Sequence, residues 1–192
     1  FSRSKFALQM LSTVKDEDKK HKYQLQISND ICELEELINE MLIYASFDSD
    51  RPELSFTRQN IHDLVSKQIA IHGHLSSQIE LVDNEPNLFA ICDNHFIERA
   101  LNNFISNAIK YGGGKVRVTI SKKIQSNNTM CCICVEDNGE GVSDEFKSVI
   151  FDAFSRGDQS RNRETGGFGL GLAIVVRIME WHQGSATIND SK

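Results

Sequence analysis

Three groups of residues in this 192-residue chain have types and spacings that can do chemistry. The first is the run Gly166-Gly167-Phe168-Gly169-Leu170-Gly171-Leu172, which leads into the apolar stretch Ala173-Ile174-Val175-Val176. Glycines this dense let the backbone take φ > 0 and bring its N–H groups close to a ligand. A helix start behind them adds positive dipole and unpaired donors, which suits phosphate. A tight loop closing on a helix would read the same way. The second group is Asn103, Asn107, Lys110 and Tyr111. The asparagines are four apart and share a helix face, with Lys110 one turn on. An amide oxygen at Asn107 suits Mg²⁺, a hard cation that bridges phosphates, and Lys110 offers a point charge to a phosphate. Asparagines that cap turns or face solvent are the plainer alternative. The third group is Asp137-Asn138-Gly139-Glu140-Gly141, at the end of an apolar alternation. A carboxylate at a strand end, followed by two glycines, can sit under a flat base and accept a hydrogen bond from an exocyclic amine. The same letters also make an ordinary turn.

Between the third group and the first lie Phe151-Asp152-Ala153-Phe154 and Arg156, then a polar stretch to Thr165 that reads as a loop able to act as a lid. The five cysteines are Cys32, Cys92, Cys131, Cys132 and Cys134. On a strand, Cys131 and Cys134 point to opposite faces, which is poor geometry for one metal, so the cysteines are expected to be small hydrophobes in a reduced core. The pair His72-Gly73-His74 lacks further ligands. His62, His72, His74 and His95 read as surface or satisfied side chains.

These groups need elements to hold them. Phe6, Met10 or Leu11, and Val14 have a helical period, and a charged break is expected over 15–21. A second helix is expected over 22–46, about 35–40 Å long. On it Ile27, Ile31, Leu34, Ile38, Met41 and Ala45 form a heptad seam, which calls for a bundle made by two copies. Pro52 marks a linker, so the division expected is a helical hairpin over 1–50 and a second domain over 51–192. In that domain the periodicity predicts strands over 53–57, 78–82, 87–91, 116–121 and 130–136, with a strand beginning over 185–189. It predicts helices over 60–75 (Asn60 as N-cap), 94–110, 145–149 and 169–181, and a polar loop over 124–129. This is an α+β pattern: one mixed sheet with helices on one face. Hydrophobic content is 40%, charged content 25% and net charge −6, ordinary for a globular chain and unlike a nucleic-acid surface, which is basic. No apolar run approaches the length of a membrane span.

Taken together, the motifs resemble those of sensor histidine kinases. Asn103-Phe104-Ile105-Ser106-Asn107-Ala108-Ile109-Lys110-Tyr111 is similar to their N box, Asp137–Gly141 to the G1 box, Phe151–Phe154 to the F box and Gly167–Leu172 to the G2 box. Trp181-His182-Gln183-Gly184 resembles the short motif that follows. The stretch from Ser155 to Val175 is most similar to the RstB-like group of membrane sensor kinases. The resemblance implies a Bergerat-type ATP-binding α/β sandwich behind a dimerisation hairpin. It implies a cofactor set of ATP and Mg²⁺, with Asn107 at the metal. It places Asp137 at the adenine amine, Gly139 and Gly141 under the base, and Asn103, Asn107 and Lys110 toward phosphates. Tyr111 and Phe154 would line the pocket. Arg156, with Arg161 and Arg163, would approach phosphates, and Gly167, Gly169, Leu170, Gly171 and Leu172 would form the lid hinge and its N–H donors.

Gyrase- and Hsp90-type ATPases are expected to carry a glutamate base where Asn103 stands. An amide cannot take that proton, so phosphoryl transfer to a protein nucleophile is expected in place of hydrolysis. The family's acceptor histidine, in a His-Asp/Glu-x-x-Ser/Thr-Pro motif, has no counterpart in these residues and is expected just ahead of Phe1. A final glycine-rich strand is expected after Asn189. The resemblance further implies a homodimer, a response-regulator receiver domain as partner, and a place on the cytoplasmic side of a bacterial inner membrane. The competing readings are a degenerate nucleotide-binding scaffold and an ATPase of the same fold.

Overall fold

The computed structural model describes residues 2–14, 16–46, 52–73, 79–125, 128–157 and 167–190. The chain divides into two compact units, Phe1–Ser49 and Asp50–Lys192.

In the first unit, α1 (Ser2–Thr13) packs against α2 (Glu17–Ser46), with Ala7 fully buried. The break between them is shorter than the run of charges suggests, because α2 begins at Glu17 and takes in His21. The Asp16 carboxylate accepts from the N–H groups of Asp18 and Lys19, at 3.1 and 3.3 Å, and so caps the helix start. Glu17 then pairs with Lys20 at 2.9 Å. A local cap and an i,i+3 pair thus carry helix through residues that lack apolar period. At 30 residues α2 is about 45 Å long, beyond the 35–40 Å expected. Its heptad seam is open in the single chain: Ile31, Leu34, Ile38 and Met41 are all exposed, Ile38 at 54%.

The second unit has the order β1 (Thr57–Asn60), α3 (Ile61–His72), β2 (Ile79–Asp83), β3 (Phe89–Cys92), α4 (Asn94–Tyr111), β4 (Val116–Gln125), β5 (Asn128–Asp137), α5 (Asp144–Lys147) and α6 (Gly171–Trp181). Its described strands form two sheets and not the single one expected: β1 pairs antiparallel with β3, while β4 lies between β2 (parallel) and β5 (antiparallel). The core lies between the larger sheet and a helix layer with α4 in its middle, packed on α3 and α6. Val116, Val118 and Ile120 of β4, Ile105 of α4, and Ile174 and Ile178 of α6 are all buried side chains of this core.

Several boundaries move for physical reasons. Asn60 caps α3, as expected, accepting from His62 N and Asp63 N, and it also ends β1, whose pairing with β3 runs over Thr57–Asn60, while residues 53–56 pair with no described strand. Of the polar loop expected over 124–129, residues 124–125 and 128–129 are strand, with Gln125 opposite Asn128, because the β4–β5 ladder outruns its apolar alternation. Residues 185–189, where a strand was expected to begin, take no regular secondary structure and pair with no described strand. The cysteine expectation also fails in part. Cys92 is buried and Cys131 half-buried, its thiol pushed up to about 11 by burial, but Cys32, Cys132 and Cys134 are exposed.

One buried carboxylate ties distant parts of this unit together. Asp93 Oδ1 accepts from His95 N and Phe96 N at the start of α4, its Oδ2 accepts from Ser55 N at 2.7 Å, and its own N–H donates to His182 Nε2 at 3.0 Å. His182 Nδ1 donates to Ile178 O at 2.7 Å, so both ring nitrogens are used. Removing the carboxylate leaves a cap and a loop N–H unpaired. Asp93→Ala is therefore expected to cost about 2–4 kcal/mol, read as a lower urea midpoint at unchanged slope. A loss under about 0.5 kcal/mol would contradict this role.

Candidate functional site

The larger sheet and the end of α4 meet at Asp137, the last residue of β5 and the partner of Val116. Its Oδ1 accepts from Gly139 N at 2.8 Å, which closes the turn. Its Oδ2 takes no hydrogen bond from any described residue. The turn lies against the C-terminus of α4, where Asn138 N donates to Gly112 O at 3.0 Å. Both surfaces are bare of Cβ atoms for a reason. A Cβ at Gly139 would collide with Tyr111 O and sit 2.9 Å from Asp137 Oδ1, and one at Gly112 would collide with Ala108 O and Asp137 Cβ. Gly141, at φ +76, then turns the chain away. The D-x-G pattern is thus a turn and also leaves one carboxylate oxygen for a donor from outside. Gly112 is a site residue that the motif reading passed over, and only its place after the last helical residue signals it.

On α4, Asn103 and Asn107 are both half-buried. Asn103 Nδ2 donates to Gly171 O at 3.2 Å, which joins the second helix of the site to the glycine run. The Asn107 side chain makes no hydrogen bond to a described residue, and an amide at that depth favours a polar partner. Lys110 and Tyr111 are exposed, with the ammonium 5.9 Å from the Tyr111 ring centre.

The expected helix over 169–181 begins two residues late. Gly169 has φ +76, which α-helix excludes, so α6 starts at Gly171. At its start no side chain caps the helix, which leaves first-turn N–H groups without a side-chain acceptor. Gly169 also closes the base of the intervening loop. Phe154 N donates to Gly169 O at 2.8 Å, and a Cβ on Gly169 would lie 2.7 Å from Ser155 O. Phe154, itself at φ +65 and exposed, marks one post of that base, and Gly169 the other. Arg156 is half-buried beside it. Leu170 is fully buried, so only its backbone is open to a ligand, while Leu172 is half-buried and Gly167 has open space around it. Arg161, Arg163 and Gly166, expected in the lid and glycine run, lie outside the described residues, as does His74.

The histidines are mostly engaged. His62 Nδ1 lies 2.6 Å from Asp83 Oδ2, His72 Nε2 2.8 Å from Asn102 Oδ1, and His95 packs edge-on to Phe96. Among the described residues no group of three or more His, Cys, Asp or Glu can hold a metal ion. No described helix is long and apolar enough to cross a membrane. The site therefore combines a half-free carboxylate, an unpaired amide on a helix stripe and an uncapped helix start. That donor set fits a ligand with an amine at one end and anionic oxygens at the other.

Residues 92–192 match the protein family described as histidine kinase-, DNA gyrase B-, and HSP90-like ATPase. The chain is 32% identical over 154 residues to the sensor protein RstB of Escherichia coli (strain K12), covering 79% of this chain and 35% of that protein. It is 31% identical over 166 residues to the sensor histidine kinase RppB of Synechocystis sp. (strain ATCC 27184 / PCC 6803 / Kazusa), covering 82% of this chain and 35% of that one. It thus spans about a third of the length of either relative. Its fold is similar to that of full-length ShkA in complex with AMPPNP, with TM-score 0.69 and 23% identity over 93% of this chain and 37% of that one.

Proposed function

The chain belongs to the histidine kinase-, DNA gyrase B- and HSP90-like ATPase family, as part of a sensor histidine kinase catalytic core, and on that premise we propose that it binds Mg-ATP and directs the γ-phosphoryl to a protein histidine. The observation that carries the reading is the divided carboxylate of Asp137: one oxygen builds the turn and the other is left for the adenine amine. Gly112 and Gly139 let the end of α4 and the turn pack closely on each other, which fixes that oxygen in place. Asn107 is the residue that would hold Mg²⁺, which when bound neutralises phosphate charge. Lys110 and the uncapped start of α6 offer further positive charge to the phosphates, and Tyr111 borders the base. Phe154 and Gly169 tether the two ends of the lid segment, so that Arg156 is held near its root.

Asn103 supports transfer over hydrolysis. Its amide is used to hold Gly171 and has no basic lone pair with which to activate water. Phosphate release from ATP is therefore expected to stay near the uncatalysed background, followed with labelled ATP and Mg²⁺. Turnover on the order of 1 per second, the range of a working enzyme, would contradict a transferase reading. The acceptor histidine is proposed to lie outside these residues. The open seam of Ile31, Leu34, Ile38 and Met41 supports a homodimer through α2, whose bundle would receive the response-regulator domain. By the same reading the chain is the cytoplasmic portion of a membrane sensor.

A further inference from the structure

Cys132 and Cys134 take no part in the site above, yet the β5 register sets them side by side. Cys131, Ile133 and Val135 stand opposite Lys122, Ile120 and Val118, and Ile120 and Val118 are fully buried, so that row faces the helices. Cys132 and Cys134 face the other way, and both are exposed. Their cross-strand neighbours are Ser121 and Thr119, which are too small to cover them. A C-x-x-C reading of this stretch looks at the wrong pair: the same-face pair is C-x-C.

Residues two apart on a strand have Cβ atoms about 6.6 Å apart. A disulfide needs about 3.5–4.5 Å, so these thiols cannot close one without bending the strand. Side chains that lean together bring the sulfurs nearer, to a gap that a single ion can bridge. With metal–thiolate bonds of about 2.3 Å, a linear sulfur–metal–sulfur unit spans about 4.6 Å. Zinc asks for four ligands, and no group of three or more His, Cys, Asp or Glu is available among the described residues. An ion content with two thiolates is soft and monovalent. We propose that Cys132 and Cys134 form a two-thiolate site for a cation of the copper(I) class. Two thiols and one such ion give a bis-thiolate unit of net charge −1 and release two protons, with no change of oxidation state. Lys123, exposed on the same face of β4, lies at one end of the pair and offsets that charge, while Arg117 at the other end pairs with Glu80 at 3.0 Å and stands opposite Glu136.

The test uses the reduced 192-residue chain, without oxygen, titrated into the coloured copper(I)–bicinchoninate complex. The chain is expected to withdraw one equivalent of copper(I). Cys132→Ser and Cys134→Ser should each hold it about 100-fold more weakly or worse, the usual gain from linking two donors. Cys32→Ser, on the separate helix α2, should hold it as the parent does. X-ray absorption of the loaded parent should read two sulfur neighbours at one distance, a measurement that needs no variant. No withdrawal of copper(I), parental affinity in either β5 variant, loss in Cys32→Ser, or three or more ligands at the ion would overturn the site.

Discussion

Asp137→Asn is expected to lower the affinity for Mg-ATP by about 30- to 150-fold, measured by calorimetric titration. Asparagine can keep the bond that builds the turn, since its Oδ1 can accept from Gly139 N as the carboxylate does. The other terminal atom changes from an acceptor to an NH₂ donor and would then face the donor amine of adenine. The loss is that of a hydrogen bond to a charged group, about 2–3 kcal/mol, and about 1.4 kcal/mol is tenfold. Because the turn survives, the melting temperature should stay close to that of the parent. Unchanged ATP affinity would remove Asp137 from the base pocket.

Gly112→Ala is expected to damage fold and site together. The backbone at Gly112, φ −90 and ψ 15, is open to alanine, so the cost is contact and not conformation. Its new methyl would overlap Ala108 O and Asp137 Cβ, which belong to α4 and to the end of β5. Neither is a flexible side-chain tip, so the α4 terminus and the 137–139 turn must separate. Overpacking of this kind costs about 3 kcal/mol. For a chain of this size that lowers the melting temperature by roughly 6–12 °C. ATP affinity should fall with it, since Asp137 moves. A variant that melts within about 1 °C of the parent and binds ATP equally well would contradict the contact.

How far the sequence carried this reading depends on the range of the interaction. Asn60 as a cap and the apolar faces of α3 and α4 were legible, because a cap and a helix period are set within a few residues. The stripe Asn103, Asn107, Lys110 was legible for the same reason. What Asn103 does with its amide was not, because Gly171 is 68 residues away. The Asp93–His182 hydrogen bond, 89 residues apart, left no local signal in either residue. Charge misled at 15–21, where a single Asp16 cap outweighs a run without apolar period. Composition misled at Cys132 and Cys134, since an apolar-looking run on a strand still shows every second residue to solvent. Gly169 shows the opposite case: its helical neighbours suggested helix, and a positive φ imposed by the contact with Phe154 and Ser155 delays it.

The central claim is a site selective for the adenine amine, built on the free oxygen of Asp137. Calorimetric titration of the parent chain with ATP and with GTP, each with Mg²⁺, tests it most directly. Adenine presents a donor to that oxygen, whereas guanine presents a carbonyl at the same ring position, acceptor against acceptor. ATP is predicted to bind about 100-fold or more tightly than GTP, the cost of one mismatched charged hydrogen bond. Equal affinity for the two nucleotides would contradict the account.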